Sequence, residues 1–181
     1  RQEAHEEGTP VMRPMVFEFM DDPAVPYLDQ QYMLGDALMV APVFREDKTA
    51  QYYLPEGTWT ELLTEETKEG GRWYKGTYDY FSMPLYIREN SIVVRGNCDT
   101  RPDYDYADHA TVCVYQLKDA AETKVPDVHG NTVFTVKAVK EGDAVKVSVE
   151  GAHTELKVEV FVGNEKKEAV LAADADEVVV A

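Results

Sequence analysis

The sequence predicts an all-β protein made of two consecutive antiparallel β-sandwich domains. Short segments alternate apolar and polar residues, which is the pattern of half-buried strands. Turn signals recur roughly every 8 to 12 residues, a spacing typical of sandwiches. The core composition also changes near Gly96: the first 97 residues hold 14 of the 19 aromatic residues and seven of the nine prolines, and valine dominates afterwards. This change indicates a second core and therefore a second domain.

The opening segment predicts the end of a helix. Residues 1–8 hold three Glu and one Ala, which favour a helix, and Gly8 followed by Pro10 is a helix-stop signal. Because the chain starts at Arg1 in the middle of this pattern, we expect it to be a piece of a longer protein. The predicted parts are a helix tail at 1–9, a proximal sandwich at 10–97 and a distal sandwich at 98–181.

The first sandwich is predicted from aromatic and apolar runs separated by turn residues. Pro14 places the first run at a sheet edge or a bulge, and residues 28–34 suggest a short helix or turn. Pro55-Glu-Gly57 predicts a turn, and Glu69-Gly-Gly71 predicts a hairpin. The predicted strands are Val11 to Phe19, Ala37 to Val43, Gln51 to Leu54, Thr58 to Leu63, Arg72 to Lys75, Met83 to Ile87 and Ser91 to Val94.

The second sandwich is predicted from valines at every other position. Because successive side chains of a strand point to opposite faces, this spacing buries one valine face against a partner sheet. The predicted strands are Thr111 to Leu117, Thr132 to Val139, Val145 to Val149, Leu156 to Val162 and Glu177 to Val180.

Charge and composition argue against several classes of partner. The formal net charge of −16 disfavours nucleic acid and anionic membrane surfaces, and it is compatible with neutral partners such as sugars. No apolar run approaches the roughly 18 residues that a membrane-spanning helix needs. Cys98 and Cys113 lack a zinc-binding spacing, and the alternation around Cys113 predicts a small buried side chain. We predict no metal and no cofactor.

The carboxylates and histidines are candidates for chemistry, but their contexts favour structural roles. Asp21 and Asp22 precede Pro23, which is turn chemistry. A calcium site among the aspartates that follow Cys98 would lack the glycine and closing glutamate of an EF-hand, so a loop between the domains is favoured. The loop aspartates are Asp99, Asp103, Asp105 and Asp108, and the histidines, expected in solvated loops, are His5, His109, His129 and His153. No catalytic residue is assigned.

Aromatic residues crowd the stretch from residue 52 to residue 80. They could form a platform that stacks on sugars, or they could pack in the core or against a neighbouring domain, which is the favoured interpretation. These residues are Tyr52, Tyr53, Trp59, Trp73, Tyr74, Tyr78 and Tyr80.

Five blocks, in this order, resemble the region that follows the catalytic barrel in glycoside hydrolase family 31, the retaining α-glucosidases and α-xylosidases. The blocks are Gly8-Thr-Pro-Val-Met-Arg-Pro-Met15, Asp29-Gln-Gln-Tyr-Met-Leu-Gly-Asp36, Leu38-Met-Val-Ala-Pro-Val43, Tyr53-Leu-Pro-Glu-Gly-Thr-Trp59 and Met83-Pro-Leu-Tyr-Ile-Arg-Glu-Asn-Ser-Ile92. The stretch from Asn97 to Tyr104 is similar to the α-xylosidase branch. Beyond residue 105 only the β pattern supports the match.

The resemblance implies a non-catalytic C-terminal fragment that supports a (β/α)₈ barrel, with the helix tail as the end of the last barrel helix. The family's nucleophile and acid/base are barrel aspartates, and no residue of this chain matches either motif. The implied partner is the protein's own barrel, and such a fragment is expected to expose an apolar patch where the barrel sits. A carbohydrate-binding or oligomerisation module is the alternative, and the protein is expected to be cytoplasmic.

Overall fold

Strands dominate the fold, as the all-β prediction requires. The computed structural model describes Ala4 and residues 7–181, so most of the predicted helix tail lies outside the described residues. Besides strands, residues 7–181 form two short 3₁₀ turns, Met15–Phe17 and Val25–Tyr27. A search of the described residues finds no helix long and apolar enough to cross a membrane. The chain divides into two compact units, the first ending at Glu89 and the second beginning at Asn90.

The first unit contains eight strands over residues 7–89. They are β1 (Met12–Pro14), β2 (Tyr32–Leu34), β3 (Leu38–Val40), β4 (Thr49–Leu54), β5 (Thr58–Glu61), β6 (Thr67–Glu69), β7 (Arg72–Thr77) and β8 (Leu85–Arg88). Six of them form a sheet in the order β1-β2-β3-β8-β5-β6, and β4 pairs with β7 in a separate two-stranded sheet. Every pair is antiparallel.

The core of the first unit lies on one face of the six-stranded sheet. The strand register places Met33, Met39 and Tyr86 side by side on adjacent strands, and all three are fully buried. Tyr52 and Leu54 of β4 belong to the same buried cluster, so the two sheets share one core. Full burial of side chains of this size contributes about 1.5–3 kcal/mol each.

The second unit contains eight strands over residues 90–181. They are β9 (Ser91–Arg95), β10 (Thr111–Tyr115), β11 (Ala120–Pro126), β12 (Thr132–Glu141), β13 (Ala144–Gly151), β14 (Leu156–Val162), β15 (Glu165–Leu171) and β16 (Glu177–Val180). One sheet has the order β15-β14-β10-β9 and the other has the order β11-β12-β13-β16.

The valine alternation builds the core of this second unit. Val145, Val147 and Val149 are buried, and the residues between them are half-buried, as predicted. They pack with Val112 and Val158 of the other sheet in one cluster, which makes the unit a sandwich. In the β15-β14-β10-β9 sheet, β10 and β14 are parallel, because the chain forms β11, β12 and β13 of the opposite sheet between them.

The sequence and the structure differ at the boundary of the two units. Ser91–Arg95 was predicted in the first sandwich, but this strand pairs along its whole length with β10 of the second unit. The aspartate-rich loop between β9 and β10 therefore lies inside the second unit and does not link the two. The change in aromatic composition placed the boundary after residue 97, whereas the pairing of β9 with β10 places it before Asn90.

Three local predictions in the first unit are also wrong. Residues 28–34 contain a strand, β2, and the 3₁₀ turn lies just before them at Val25–Tyr27. The long strand predicted from Val11 ends at Pro14, because proline cannot donate a ladder hydrogen bond. Gly70 and Gly71 do not close a hairpin: β6 pairs with β5 and β7 pairs with β4, so the glycines connect two sheets.

Candidate functional site

The aromatic residues of the first unit do not form a flat platform made of both tryptophans. Trp59 is 1% exposed, and its Nε1 donates a hydrogen bond to the Pro55 carbonyl oxygen at 2.8 Å. Trp73 is 50% exposed and packs against Tyr53, with ring centroids 5.6 Å apart and ring planes at 57°. Trp59 is a core residue, as the packing interpretation expects.

A network of hydroxyl groups occupies the interior beside Trp59. The hydroxyls of Tyr52 and Tyr86 lie 2.9 Å apart, and the Tyr78 hydroxyl donates to Tyr52 at 3.2 Å. Lys68 Nζ donates to the Tyr86 hydroxyl at 2.6 Å and lies 5.0 Å from the centroid of the Tyr74 ring. Burial raises the pKa of Tyr52 and Tyr86 above the ordinary tyrosine value, so both hydroxyls stay neutral. The network satisfies buried polar groups.

An acidic cleft of about 710 Å³ opens on the surface of the first unit. Asp22 lines it, and its Oδ1 accepts the Ala24 backbone N–H at 2.9 Å, which confirms the turn interpretation. Glu18 also lines it, and its carboxylate pairs with Arg13 at 2.7 Å and with Arg88 at 3.4 Å. Glu18 was not predicted as a site residue, because its arginine partners lie 5 and 70 residues away along the chain. These contacts hold backbone and arginine groups in place.

The aspartate-rich loop belongs to the second unit, as do His109, His129 and His153. Across the described residues, no group of three or more His, Cys, Asp or Glu side chains is placed to hold a metal ion. His5 lies outside the described residues, and His129 is exposed in a turn. His153 lies in a loop, as predicted, but it is half-buried and not solvated: its ring nitrogens lie 2.7 Å from the Thr154 carbonyl oxygen and 3.1 Å from that of Ala175.

A charged cluster in the second unit was not predicted. Glu159 is the one buried acidic residue among those that the structure describes. It contacts Arg95 at 2.5 Å and Lys157 at 2.8 Å. Burial acts to raise the pKa of Glu159, but the Lys157 hydrogen bond and the positive charges of Arg95, Lys157 and Lys166 outweigh burial, so the pKa is lowered.

Cys113 lies beside this cluster and is fully buried, as predicted. Its Sγ is 3.6 Å from Glu159 Oε2. Burial raises the pKa of the Cys113 thiol to about 11, which keeps it protonated near neutral pH. Cys98 and Cys113 are both free thiols.

Large apolar side chains are unevenly exposed. Among the described residues, 12 of the 16 exposed large hydrophobic residues belong to the first unit, and the four in the second unit are all valines. The exposed aromatic residues of the first unit are Phe17, Tyr27, Phe44, Trp73, Tyr80 and Phe81. Large exposed apolar surfaces on soluble proteins usually mark an interaction surface.

Comparison with known families matches almost the whole chain. Residues 8–93 match the glycosyl hydrolase family 31 C-terminal domain. Residues 105–181 match the C-terminal domain of α-xylosidase YicI.

Similar proteins include two bacterial glycosidases. The chain is 33% identical over 162 residues to α-xylosidase XylQ of Lactiplantibacillus pentosus, covering 87% of this chain and 21% of that protein. It is 30% identical over 166 residues to α-glucosidase 2 of Bacillus thermoamyloliquefaciens, covering 90% of this chain and 20% of that protein. The chain therefore spans about a fifth of the length of these relatives.

A solved structure of similar fold is the family 31 α-xylosidase from Xanthomonas citri. The TM-score is 0.78 at 25% identity, covering 98% of this chain and 22% of that chain. The similarity extends over both units.

Proposed function

Because this chain belongs to glycosyl hydrolase family 31, we propose that it is the non-catalytic C-terminal part of an α-xylosidase and supports that enzyme's catalytic domain. The observation that carries the proposal is the match of residues 105–181 to an α-xylosidase C-terminal domain, together with the 33% identity to XylQ over 87% of the chain. An α-glucosidase parent is the alternative, favoured by the similarity to α-glucosidase 2.

The roles of the carboxylates support a non-catalytic part. Hydrolysis of a glycosidic bond uses two carboxyl groups that flank the bond, one of them with a raised pKa. Glu18 in the acidic cleft is paired with Arg13 and Arg88, and Asp22 caps a turn. Buried Glu159 is held ionised by Arg95 and Lys157. These three carboxylates stabilise local structure.

The exposed apolar residues of the first unit support docking onto a larger partner. This chain corresponds to about a fifth of the length of its relatives. In a protein of that length, the other four fifths of the polypeptide could cover these exposed residues. The catalytic barrel that the family resemblance implies is the partner we propose. In this role the two units stabilise the barrel without contacting the bond that is cleaved.

The experiment exchanges the corresponding region of XylQ. We would compare three proteins on 4-nitrophenyl α-D-xyloside: XylQ, XylQ without the 162 residues that align with this chain, and XylQ with those residues replaced by this chain. The proposal expects activity to be lost by the deletion and restored by the replacement. The 181-residue chain alone is expected to be inactive, and saturable hydrolysis by it would refute the proposal.

A carbohydrate-binding module remains the alternative from the sequence analysis. Titration of the chain with xylo-oligosaccharides, followed by NMR, tests it. Saturable chemical-shift changes centred on Trp73 and Tyr53 would favour this alternative, because these two rings pack together and the Trp73 ring is half-exposed. Their absence at millimolar sugar would leave barrel support as the function.

A further inference from the structure

We propose that Phe44, Tyr80 and Phe81 form one docking surface, the aromatic tip, that inserts into the remaining part of the same polypeptide. The inference rests on the proposed function and adds which surface makes the contact. The three side chains are 70%, 93% and 87% exposed, respectively. Aromatic residues are enriched at the centres of protein interfaces and dominate their energetics.

The fold brings the three residues to one corner of the first unit. Phe44 lies on the connection from β3 to β4, and Tyr80 and Phe81 lie on the connection from β7 to β8. Since β3 pairs with β8 and β4 pairs with β7, both connections run between the same two pairs of strands. Hydrogen bonds tie them together at both ends, from Ala41 N–H to Pro84 O at 3.1 Å and from Tyr78 N–H to Lys48 O at 2.9 Å.

An aspartate orders each connection. Asp79 Oδ1 accepts the Phe81 backbone N–H at 2.9 Å and the Ser82 hydroxyl at 2.6 Å. Asp47 Oδ1 accepts the Thr49 backbone N–H at 3.0 Å, and the Asp47 carboxylate pairs with Arg45. Because the loops are ordered before binding, less conformational entropy is lost when the rings are buried.

The geometry of the rings favours a protein partner over a sugar. The Tyr80 and Phe81 rings are 5.3 Å apart with an interplanar angle of 85°, so they present an edge and a face and not a flat platform. The side chains of Phe44 and Phe81 have no hydrogen-bonding group for sugar hydroxyls. Perpendicular rings suit a partner with separate pockets for each side chain.

Charge disfavours a second copy of this chain as the partner. Each copy carries a formal net charge of −16, so two copies repel each other at moderate ionic strength. A partner within the same polypeptide is tethered, and its high effective concentration allows a modest surface to remain bound. The remaining polypeptide is therefore the occupant that we propose.

The test uses the XylQ protein whose C-terminal region is replaced by this chain. We would introduce F44S, Y80S and F81S together and measure the rate of thermal inactivation on the aryl xyloside. The matched control replaces three half-exposed valines of the second unit, V162S, V170S and V179S. We expect inactivation about tenfold faster for the aromatic variant and an unchanged rate for the valine variant.

The outcomes separate this inference from the proposed function. If XylQ carrying this chain is inactive, the proposed function is refuted. If it is active and its F44S/Y80S/F81S variant is inactivated at the same rate, the aromatic tip alone is refuted. Thermal unfolding of the 181-residue chain checks folding, and the aromatic variant should unfold at the same temperature because the three side chains are exposed. Loss of a dimer, or loss of xylo-oligosaccharide binding, on F44S/Y80S/F81S substitution would assign the tip to a different partner and overturn the inference.

Discussion

The hydroxyl oxygens of Tyr52 and Tyr86 lie 2.9 Å apart between two sheets of the first unit, with Lys68 Nζ 2.6 Å from the Tyr86 oxygen. Tyr52 comes from β4 and Tyr86 from β8, so the bond joins the two-stranded sheet to the six-stranded sheet. Because both rings are buried, the hydroxyls have no water to replace a lost partner. This contact therefore links the two sheets through polar groups inside an apolar core.

Replacing Tyr86 by Phe removes one hydrogen-bond partner each from Tyr52 and Lys68, which remain bonded to each other at 3.1 Å. We expect the free energy of unfolding to fall by about 1–3 kcal/mol, since a buried donor loses its acceptor. Chemical denaturation measures the change. Y80F is the matched control, because Tyr80 is 93% exposed, and its stability should equal that of the parent. Equal stabilities of Y86F and Y80F would contradict a structural role for the network.

Gln31 completes the hydrogen bonding of β4 at Tyr53. Its side chain donates to the Tyr53 carbonyl oxygen and accepts the Tyr53 N–H, both at 2.8 Å, and it is buried. Gln31→Leu keeps a similar volume but leaves two backbone groups unpaired, so we expect a loss of about 2–4 kcal/mol. Gln30→Leu, at the exposed neighbouring position, is the control. Urea unfolding of both variants is the measurement, and a stable Q31L protein would refute the role.

Glu159 makes the stability of the second unit depend on pH. Its pKa is lowered in the folded state, so its contribution is present above the ordinary glutamate pKa of about 4.3 and is lost as the pH falls below it. Glu159→Gln should destabilise the protein at pH 7 by about 1–3 kcal/mol, less than a fully buried pair because Arg95 and Lys157 are half-exposed.

The difference between E159Q and the parent should shrink as the pH falls through the acidic range, and urea unfolding at several pH values measures it. Glu168→Gln is the control, since Glu168 also contacts Lys157, at 3.2 Å, but is half-exposed. A difference that is constant with pH would show that ionisation of Glu159 does not contribute.

The two cysteines should react very differently with thiol reagents. The pKa of Cys113 is raised to about 11 by burial, whereas the Thr100 side chain lowers the pKa of Cys98. The thiolate is the nucleophile, so Cys98 should be modified at mildly alkaline pH while Cys113 stays protected until unfolding. Mass spectrometry after iodoacetamide treatment, with and without urea, counts the modified thiols. Modification of both cysteines in the folded protein would contradict the burial of Cys113.

Gly70 allows the close approach of two connections in the first unit. A Cβ at this position would lie 1.7 Å from the Pro55 carbonyl oxygen, so Gly70→Ala forces the backbone to move. We expect a loss of about 2–3 kcal/mol. At Gly35 the space is open and only the positive φ of 66° is unfavourable, so Gly35→Ala should cost about 1 kcal/mol. Thermal unfolding compares them, and equal costs would refute the steric explanation.

A strand can be predicted from the sequence when one of its faces is apolar and the other is polar. Val145, Val147 and Val149 alternate with polar residues, so both the strand and its buried face could be read from the sequence. β15, at the sheet edge, was missed because its sequence, Glu-Lys-Lys-Glu-Ala-Val-Leu, is mostly polar. β14 was predicted with one apolar face, but Glu159 and Phe161 on the other face are buried too, which alternation does not show.

The candidate sites were harder to predict than the strands, because they are formed by residues that lie far apart in the sequence. The alternation around Cys113 predicted its burial, but nothing in the sequence connects it with Glu159, 46 residues away. The aromatic residues could be recognised in the sequence. Whether each is buried, like Trp59, or exposed, like Tyr80, depends on its position in the folded strands and loops. Phe44 is placed on the same side of the unit as Tyr80 and Phe81 by the pairing of β3 with β8 and of β4 with β7.

The parallel pairing of β10 with β14 has a consequence for biosynthesis. Thr111 of β10 pairs with Lys157 of β14. This pairing can form only after β11, β12, β13 and β14 have been synthesised. Non-local pairing of this kind slows folding, since the chain must close a long loop before it gains the contact. On the ribosome, β10 therefore has an unpaired edge until β14 emerges, and a nascent chain halted between them would be prone to aggregation.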